Sequence, residues 1–440
     1  MKESNYNYYS IIDEKYICLN GITGAVFSLD QKSFNFMKEL MSNEILQQEN
    51  PILTDKLIKT HFLINNIDEE KAILLEKHKQ INNNQTWHLL INPTQDCNFR
   101  CWYCYEKHPK GRMDDNTIKK IKKLIDNILS NNELKHFSLS WFGGEPLMYF
   151  NEVIYPISIY LKKRVNELGI TFSNSITTNG FLLTPDIINQ CVEIHLNHYQ
   201  ITLDGNRETH NKIRNQNGEP SFDRILQNTI LLAQANKNID IRLRVNYNTQ
   251  SIQADFGTIL ECIPKKLRSQ FSIQFQRIWQ TYKKEGNDEF VKNILENHYA
   301  NLKKMGYKVV LSAIYNIFKG TLCYADKNNY ANINYDGKIY RCTAQDYTPK
   351  TELGYLDDNG NIIWNEKAKG INDKAFFDND ICLSCDLLPI CGGPCFYKWW
   401  SNFKNKKVKQ CPFKNKKSDV DLSTFIKEYY EGFLKRKQKS

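Results

Sequence analysis

Three cysteines stand within eight residues in Cys97-Asn98-Phe99-Arg100-Cys101-Trp102-Tyr103-Cys104, and this C-x3-C-x2-C spacing constrains the chain more than any other stretch. A short loop so spaced can aim three sulfurs at one metal centre, and thiolates, as soft ligands, suit zinc or iron–sulfur clusters. A structural zinc site closes with a fourth protein ligand. The nearest candidate, His108, lies between Lys107 and Pro109 at no finger-like spacing. Three ligands on a four-iron cluster instead leave one iron open to a small molecule. A zinc knuckle, or three unrelated thiols, is the competing reading of the spacing alone.

From Trp87 the chain alternates extended and amphipathic helical runs. Strands are expected over 88–92, 137–142, 170–177, 199–203, 239–246 and 271–279. Ile118, Ile121, Leu124, Ile125 and Ile128 mark the first helix, and further helices are expected over 153–168, 185–192, 222–235, 252–262 and 288–305. Six β/α units in sequence imply a parallel sheet with right-handed crossovers. In barrels of this type the chemistry sits at the C-terminal ends of strands. The polar motifs obey that rule: Cys97 to Cys104 follows the first strand, Gly143-Gly144-Glu145-Pro146 the second, and Ser175 to Gly180 ends the third. Asp204-Gly205 ends the fourth strand, and Asn246 the fifth.

The cysteine spacing, the aromatic Tyr103 before its last member and the motifs on one rim resemble the radical S-adenosylmethionine (SAM) enzymes. The resemblance implies a partial (β/α)6 TIM-like barrel over about 86–308, and a low-potential four-iron cluster that reduces SAM to a hydrogen-abstracting 5′-deoxyadenosyl radical. Cys97, Cys101 and Cys104 would hold that cluster. Gly143, Gly144, Glu145 and Pro146 would lie at the methionyl amine, with the glycines letting backbone approach it. Ser175, with Asn179 beside it, would contact the SAM carboxylate or ribose, Asp204 the ribose and Arg214 the carboxylate, while Tyr103 would lie near adenine. For Asp204-Gly205 and Asn179-Gly180 a plain turn is the alternative. Seven more cysteines follow: Cys323, Cys342, Cys382, Cys385, Cys391, Cys395 and Cys411. Their pattern resembles the SPASM extension, expected over 309–440 with a C-terminal helix and two auxiliary four-iron clusters. The family's ligation would give Cys382, Cys385, Cys391 and Cys411 to the outer cluster and Cys323, Cys342 and Cys395 to the inner one, with no eighth cysteine. A pair of zinc sites is the alternative.

Residues 1–82 read as a separate small domain. Strands are expected at 16–19 and 25–29 about Asn20-Gly21, followed by a helix capped by Asp30, a second near 54–60, an extended 62–64 and a third opening at Asp68. A hairpin with three helices resembles the winged-helix RiPP recognition element, which binds a leader peptide by strand addition. A generic cap on the barrel is the alternative.

The formal charge of +10 invites nucleic acid as a partner. Three four-iron clusters held by ten or eleven thiolates remove about four or five of those charges, and no RNA-binding module is recognisable, so nucleic acid is not expected. No stretch of 18 apolar residues and no apolar N-terminal core occur, so a cytoplasmic protein without a membrane span is expected. In that reducing compartment thirteen cysteines argue for metal ligation rather than disulfides. Cys18, Cys191 and Cys262 sit in apolar patterns and are expected to be core residues. The whole resembles a peptide maturase that cross-links a ribosomally made precursor, by a thioether or a carbon–carbon bond, drawing electrons from a flavodoxin or ferredoxin. The alternative is an anaerobic sulfatase-maturating enzyme. Those enzymes carry an eighth cysteine and place an Asp base after the cysteine matching Cys342, where this chain has Thr343.

Overall fold

The computed structural model describes residues 1–281, 288–310, 323–369, 371, 375–403, 411 and 422–437. Two lysine-rich stretches of the sequence, 404–407 and 414–417, lie outside the described residues. Two compact units divide the chain: residues 1–83, 314–328 and 370–440 make one, and residues 84–313 and 329–369 the other.

The second unit is built on one sheet. Its parallel strands are β1 (Thr86–Ile91), β2 (His136–Trp141), β3 (Thr171–Thr178), β4 (Leu196–Asp204), β5 (Asp240–Tyr247), β6 (Phe271–Arg277) and the short β7 (Lys308–Val309). They are followed by β8 (Tyr330–Ile333), β9 (Lys338–Tyr340), β10 (Gly354–Leu356) and β11 (Ile362–Trp364). The spatial order is β7-β6-β5-β4-β3-β2-β1-β8-β9-β10-β11. This is the α/β barrel-type sheet expected of the six β/α units. The strands beyond β6 had no counterpart in the sequence reading: β8 pairs in parallel with β1, and β9 to β11 continue antiparallel. Residues 329–369 therefore extend the barrel sheet.

Alternation along the strands explains the layering. Phe137, Leu139 and Trp141 of β2, and Ile241, Leu243 and Val245 of β5, are buried in one core with the helices. The helix Asp115–Leu129 contributes Ile118, Ile121 and Ile125 to that core, and Asp114 caps it by accepting from the Thr117 N–H at 2.7 Å. The opposite parity is polar: the paired Ser140 and Ser175, the paired Arg244 and Gln274, and the paired Asn246 and Gln276 share the other face. A sheet covered by helices on both faces carries near-continuous apolar strands. These alternating strands instead have one greasy face and one polar lumen. The helix expected over 252–262 is shorter, because Asp255 caps a new start and leaves only Phe256–Leu260 helical after a tight turn at Ser251–Gln253.

In the first unit Asn7–Ile12, Lys15–Asn20 and Val26–Leu29 form an antiparallel sheet in that order. The strand Asn7–Ile12 escaped sequence reading because its turn is Asp13-Glu14, both at positive φ (48° and 62°), with no glycine to mark it. Four helices follow, Gln31–Ser42, Glu44–Glu49, Pro51–Lys59 and Ile67–Ile81, one more than expected. Asn43 caps the extra one, and Asn66 rather than Asp68 opens the last. Tyr8, Ile17, Leu19 and Leu74 are buried in one core with Phe377, Leu388 and Ile426. Tyr8 Oη donates to the Asp386 carbonyl at 2.7 Å, and Tyr429 Oη of the C-terminal helix Leu422–Lys437 to the Gly24 carbonyl at 2.9 Å. Among the described residues no helix is long and apolar enough to cross a membrane.

Candidate active site

The cysteine loop leaves β1 and is fastened on every side within its unit. Glu145 N–H donates to the Asp96 carbonyl at 2.8 Å, and Gly144 N–H to the Thr94 carbonyl at 3.3 Å. A Cβ on Gly143 would stand 2.2 Å from the Thr94 carbonyl oxygen, and one on Gly144 2.2 Å from that of Asp96. Gly143 also sits at φ 108°. The glycines are thus required by backbone packing against the segment that delivers Cys97, a reason different from the approach to SAM that the sequence suggested. Phe99 is buried against Phe181, their ring centroids 5.5 Å apart. Arg100 joins Asp96 Oδ1 at 2.9 Å and the Phe99 carbonyl at 2.9 Å.

Glu145 is fully buried. Its carboxylate accepts from Leu147 N–H at 3.0 Å, Thr178 Oγ1 at 2.7 Å and Asn179 N–H at 2.8 Å. Burial pushes its pKa up to about 7, against the pull of those donors. It therefore ties the turn at Pro146, itself buried, to the end of β3. Asn179 Nδ2 continues the tie to Asn98 Oδ1 of the cysteine loop at 2.7 Å.

A second knot binds the loop to β4 and β5. Tyr103 Oη donates to the Asp204 carboxylate (2.6 and 2.7 Å) and accepts from Arg214 Nη2 at 2.7 Å and Asn246 Nδ2 at 3.0 Å. Arg214 Nε also meets Asp204 Oδ2. Burial opposes the Arg214 charge, but Asp204 and Tyr103 outweigh it and hold the guanidinium protonated. Burial likewise keeps the Tyr103 phenol neutral. His210 is buried behind this pair, and burial together with Arg214 lowers its pKa to about 3. The Asp204 carboxylate is thus used in the site, and Gly205 takes the turn at φ 61°. Ser175 lies in a chain of lumen hydroxyls, His88 Nε2 to Ser140 Oγ (2.7 Å) to Ser175 Oγ (2.7 Å). Tyr103 presents its carbonyl to Gln280 Nε2 at 2.6 Å.

As donors, the thiols suit a soft metal centre. Burial raises the pKa of Cys97 and Cys101, and that of Cys104 to about 11, so only a cation held against them would keep them ionised. Phe99 N–H already points at Cys97 Sγ (3.4 Å), as toward a thiolate. Ala344 N–H does the same for Cys342 Sγ (3.3 Å). In the first unit Cys382 and Cys391 feel the charges of Cys385 and Cys411, and burial raises them to about 12 and about 11. Cys395 lies beside Asp326, which follows Cys323 by three residues. Among the described residues no three metal-binding side chains stand close enough to hold a single ion. Asn98 and Thr178 stand inside the sequence motifs without a role of their own, and Asn246 was singled out only as the polar end of the fifth strand. Their parts as partners of Asn179, Glu145 and Tyr103 appear only in the folded chain.

The radical SAM superfamily profile matches residues 91–246, from the last residue of β1 to the asparagine that completes the Tyr103 knot. The radical SAM cyclopropyl synthase TigE of Paramaledivibacter caminithermalis is 21% identical, covering 87% of this chain and 86% of its own. The serine-type anaerobic sulfatase-maturating enzyme of Klebsiella pneumoniae is 31% identical over 22% of this chain and 25% of its own. The structure of native anSMEcpe with bound AdoMet and Kp18Cys peptide superposes with a TM-score of 0.54 at 18% identity, over 80% of this chain and 98% of that one. Cysteine loop and profile together define a radical SAM domain over residues 91–246 of an enzyme.

Proposed function

We propose that this enzyme modifies a ribosomally synthesised precursor peptide, forming a thioether or carbon–carbon cross-link in it. The observation that carries the reading is the strand Val26–Leu29, which pairs on one side only among the described residues. Such an edge suits strand addition by an extended leader peptide, the mode of a RiPP recognition element, and we assign residues 1–82 that role. Two likenesses support a peptide substrate and a new bond: TigE is named for making a cyclopropyl group, and the anSMEcpe structure is titled with a bound peptide.

Cys97, Cys101 and Cys104 would hold a four-iron cluster whose open iron binds SAM, supplying hydrogen-atom abstraction. The protein's own share is positioning. The Tyr103 and Glu145 knots hold the loop still, the helices shield the barrel from water, and the lumen hydroxyls and amides orient what enters. We assign Asp204, Arg214, Ser175 and Asn179 to the SAM side of that pocket. Cys382, Cys385, Cys391 and Cys411 would hold one auxiliary cluster, and Cys323, Cys342 and Cys395 another whose fourth position no cysteine fills. That vacancy suits a substrate thiol and favours the thioether. The TigE likeness favours carbon–carbon bonding. Formylglycine formation is the second reading, carried by the sulfatase-maturase match, and Thr343 in place of an acid speaks against it. A flavodoxin or ferredoxin in the cytoplasm would supply electrons.

The test compares a precursor peptide with its leaderless core. The strand register turns the Ser28 N–H outward from the pair it makes with Ile17, so Ser28→Pro removes one donor from the open edge. Wild type is expected to favour the full peptide at least about tenfold through effective concentration, and Ser28→Pro to bring the ratio close to one. An equal ratio in wild type would reduce residues 1–82 to a structural cap.

A further inference from the structure

On the lumen face of the barrel sheet the half-buried Arg244 enters no ion pair among the described residues. Arg244 lies on β5 two residues below Asn246, at the level of Gln274 on β6 and Thr202 on β4. Its Nε donates to Asn246 Oδ1 at 3.0 Å. Its two Nη groups have no hydrogen-bond partner, and it enters no ion pair, among the described residues. Burial depresses its charged form and Arg214 adds to that, against a smaller pull from Tyr105, Tyr103 and Asp204.

The carboxylates that share this face are already taken. Asp204 at the rim is bound by Tyr103 and Arg214. Asp240, at the other end of β5, faces Lys308 at 3.8 Å and His198 at 4.0 Å. A half-buried guanidinium with its planar fork free is built for bidentate contact with a carboxylate, and leaving it unmatched costs desolvation with no return. Around the mouth stand three exposed aromatic side chains: Trp102, Tyr105 and Trp279. Tyr105 and Trp279 stack with centroids 6.3 Å apart and planes at 15°. Tyr105 is also within electrostatic reach of Arg244, and Arg244 shares the C-terminal end of the sheet with Tyr103 through Asn246.

We propose that Arg244 is the anchor for a carboxylate of the molecule acted on in the barrel, and that the substrate segment is an acidic residue flanked by apolar or aromatic ones resting on Trp102, Tyr105 and Trp279. This rests on the peptide reading above and adds a substrate class to it. Arg244 is a specificity residue; it takes no part in making or breaking bonds. The methionyl carboxylate of SAM offers the same chemistry, and the experiment separates the two sources.

The cluster-loaded full chain, with SAM present, is titrated anaerobically with the blocked tripeptides Ac-Ala-Glu-Ala-NH2 and Ac-Ala-Gln-Ala-NH2, and with succinamate, a carboxylate that lacks a peptide backbone. Binding is read by ligand-observed NMR, and SAM affinity by equilibrium dialysis. Wild type is expected to bind the Glu peptide at least about tenfold more tightly than the Gln peptide, since a site with a buried fork discriminates strongly against a partner that cannot match it. Arg244→Gln is expected to bring that ratio to about one, and Arg244→Lys, which keeps charge without the fork, to leave an intermediate ratio. Equal binding of the two peptides by wild type overturns the proposal even if both variants fail to fold. A SAM affinity lowered more than about tenfold in Arg244→Gln, with the Glu preference intact, overturns it in favour of the SAM carboxylate. Arg244-dependent binding of succinamate with no binding of either peptide upholds the anchor and contradicts the peptide reading.

Discussion

At Glu145 two forces oppose each other, and pH decides between them. Burial raises its carboxyl from 4.5 to about 7, so the folded protein holds that proton more tightly than the unfolded chain. Its contribution to stability is fully present below pH about 4.5 and is lost as pH rises through about 7; the change is worth about 3 kcal/mol. Denaturant midpoints of the wild type are expected to carry this falling component between pH 4.5 and 7, and Glu145→Gln to lack it. A variant whose pH profile matches wild type would contradict the assignment. Tyr103 makes a second test. Replacing it by Phe leaves Arg214 Nη2 and Asn246 Nδ2 without the acceptor they share. Each buried donor so stranded costs about 1–3 kcal/mol. Urea unfolding should show a loss of about 2–6 kcal/mol for the two donors, and a loss below about 0.5 kcal/mol would mean that water or a neighbour replaces the hydroxyl. The sequence singled out Tyr103, Glu145, Asp204 and Arg214 by their motifs. It did not reveal that Tyr103, Asp204 and Arg214 share one hydrogen-bonded cluster, because residues 101 and 111 positions apart meet only once β4 and its following helix are in place.

The elements were legible wherever periodicity was strong. The helix at Phe222–Ala235 and the strands β1 to β6 follow their apolar patterns to within a few residues, because each buries one face against the same core. The missed elements are those whose signals are weak: a strand turned by Asp13-Glu14, and the three- and four-residue strands β8 to β11, too short for a period to show. The turn at Gly143-Gly144 was legible as a motif, but its cause is contact between two loops. Gly144→Ala should therefore act through backbone: the new methyl meets the Asp96 and Gln95 carbonyl oxygens at 2.2 and 2.3 Å, and the cysteine loop must move. The expected result is a melting temperature several degrees lower and a loss of iron from the first cluster, as overpacking costs about 1–3 kcal/mol. Unchanged iron content and melting temperature would show that the loops part without cost.

For the whole molecule, the division into two units alters what a truncation can mean. Residues 1–83 share a core with Phe377, Leu388 and Ile426, within the unit that also contains Cys382, Cys385 and Cys391. A chain beginning at Asn83 is expected to lose auxiliary iron. The intact reconstituted protein should hold about twelve irons, as three four-iron clusters require, and the truncated one close to four. Full iron in the truncated chain would make residues 1–82 a detachable module, and stoichiometric zinc in the intact chain would replace the auxiliary clusters with zinc sites. The most direct test of the central claim is mass spectrometry of a Cys-containing precursor peptide, encoded beside this protein, after incubation with the reconstituted enzyme, SAM and reductant. The account predicts a peptide lighter by two hydrogens, unreactive to hydrazide, appearing together with 5′-deoxyadenosine. A hydrazide-reactive aldehyde, or 5′-deoxyadenosine formed while the peptide keeps its mass, would contradict it.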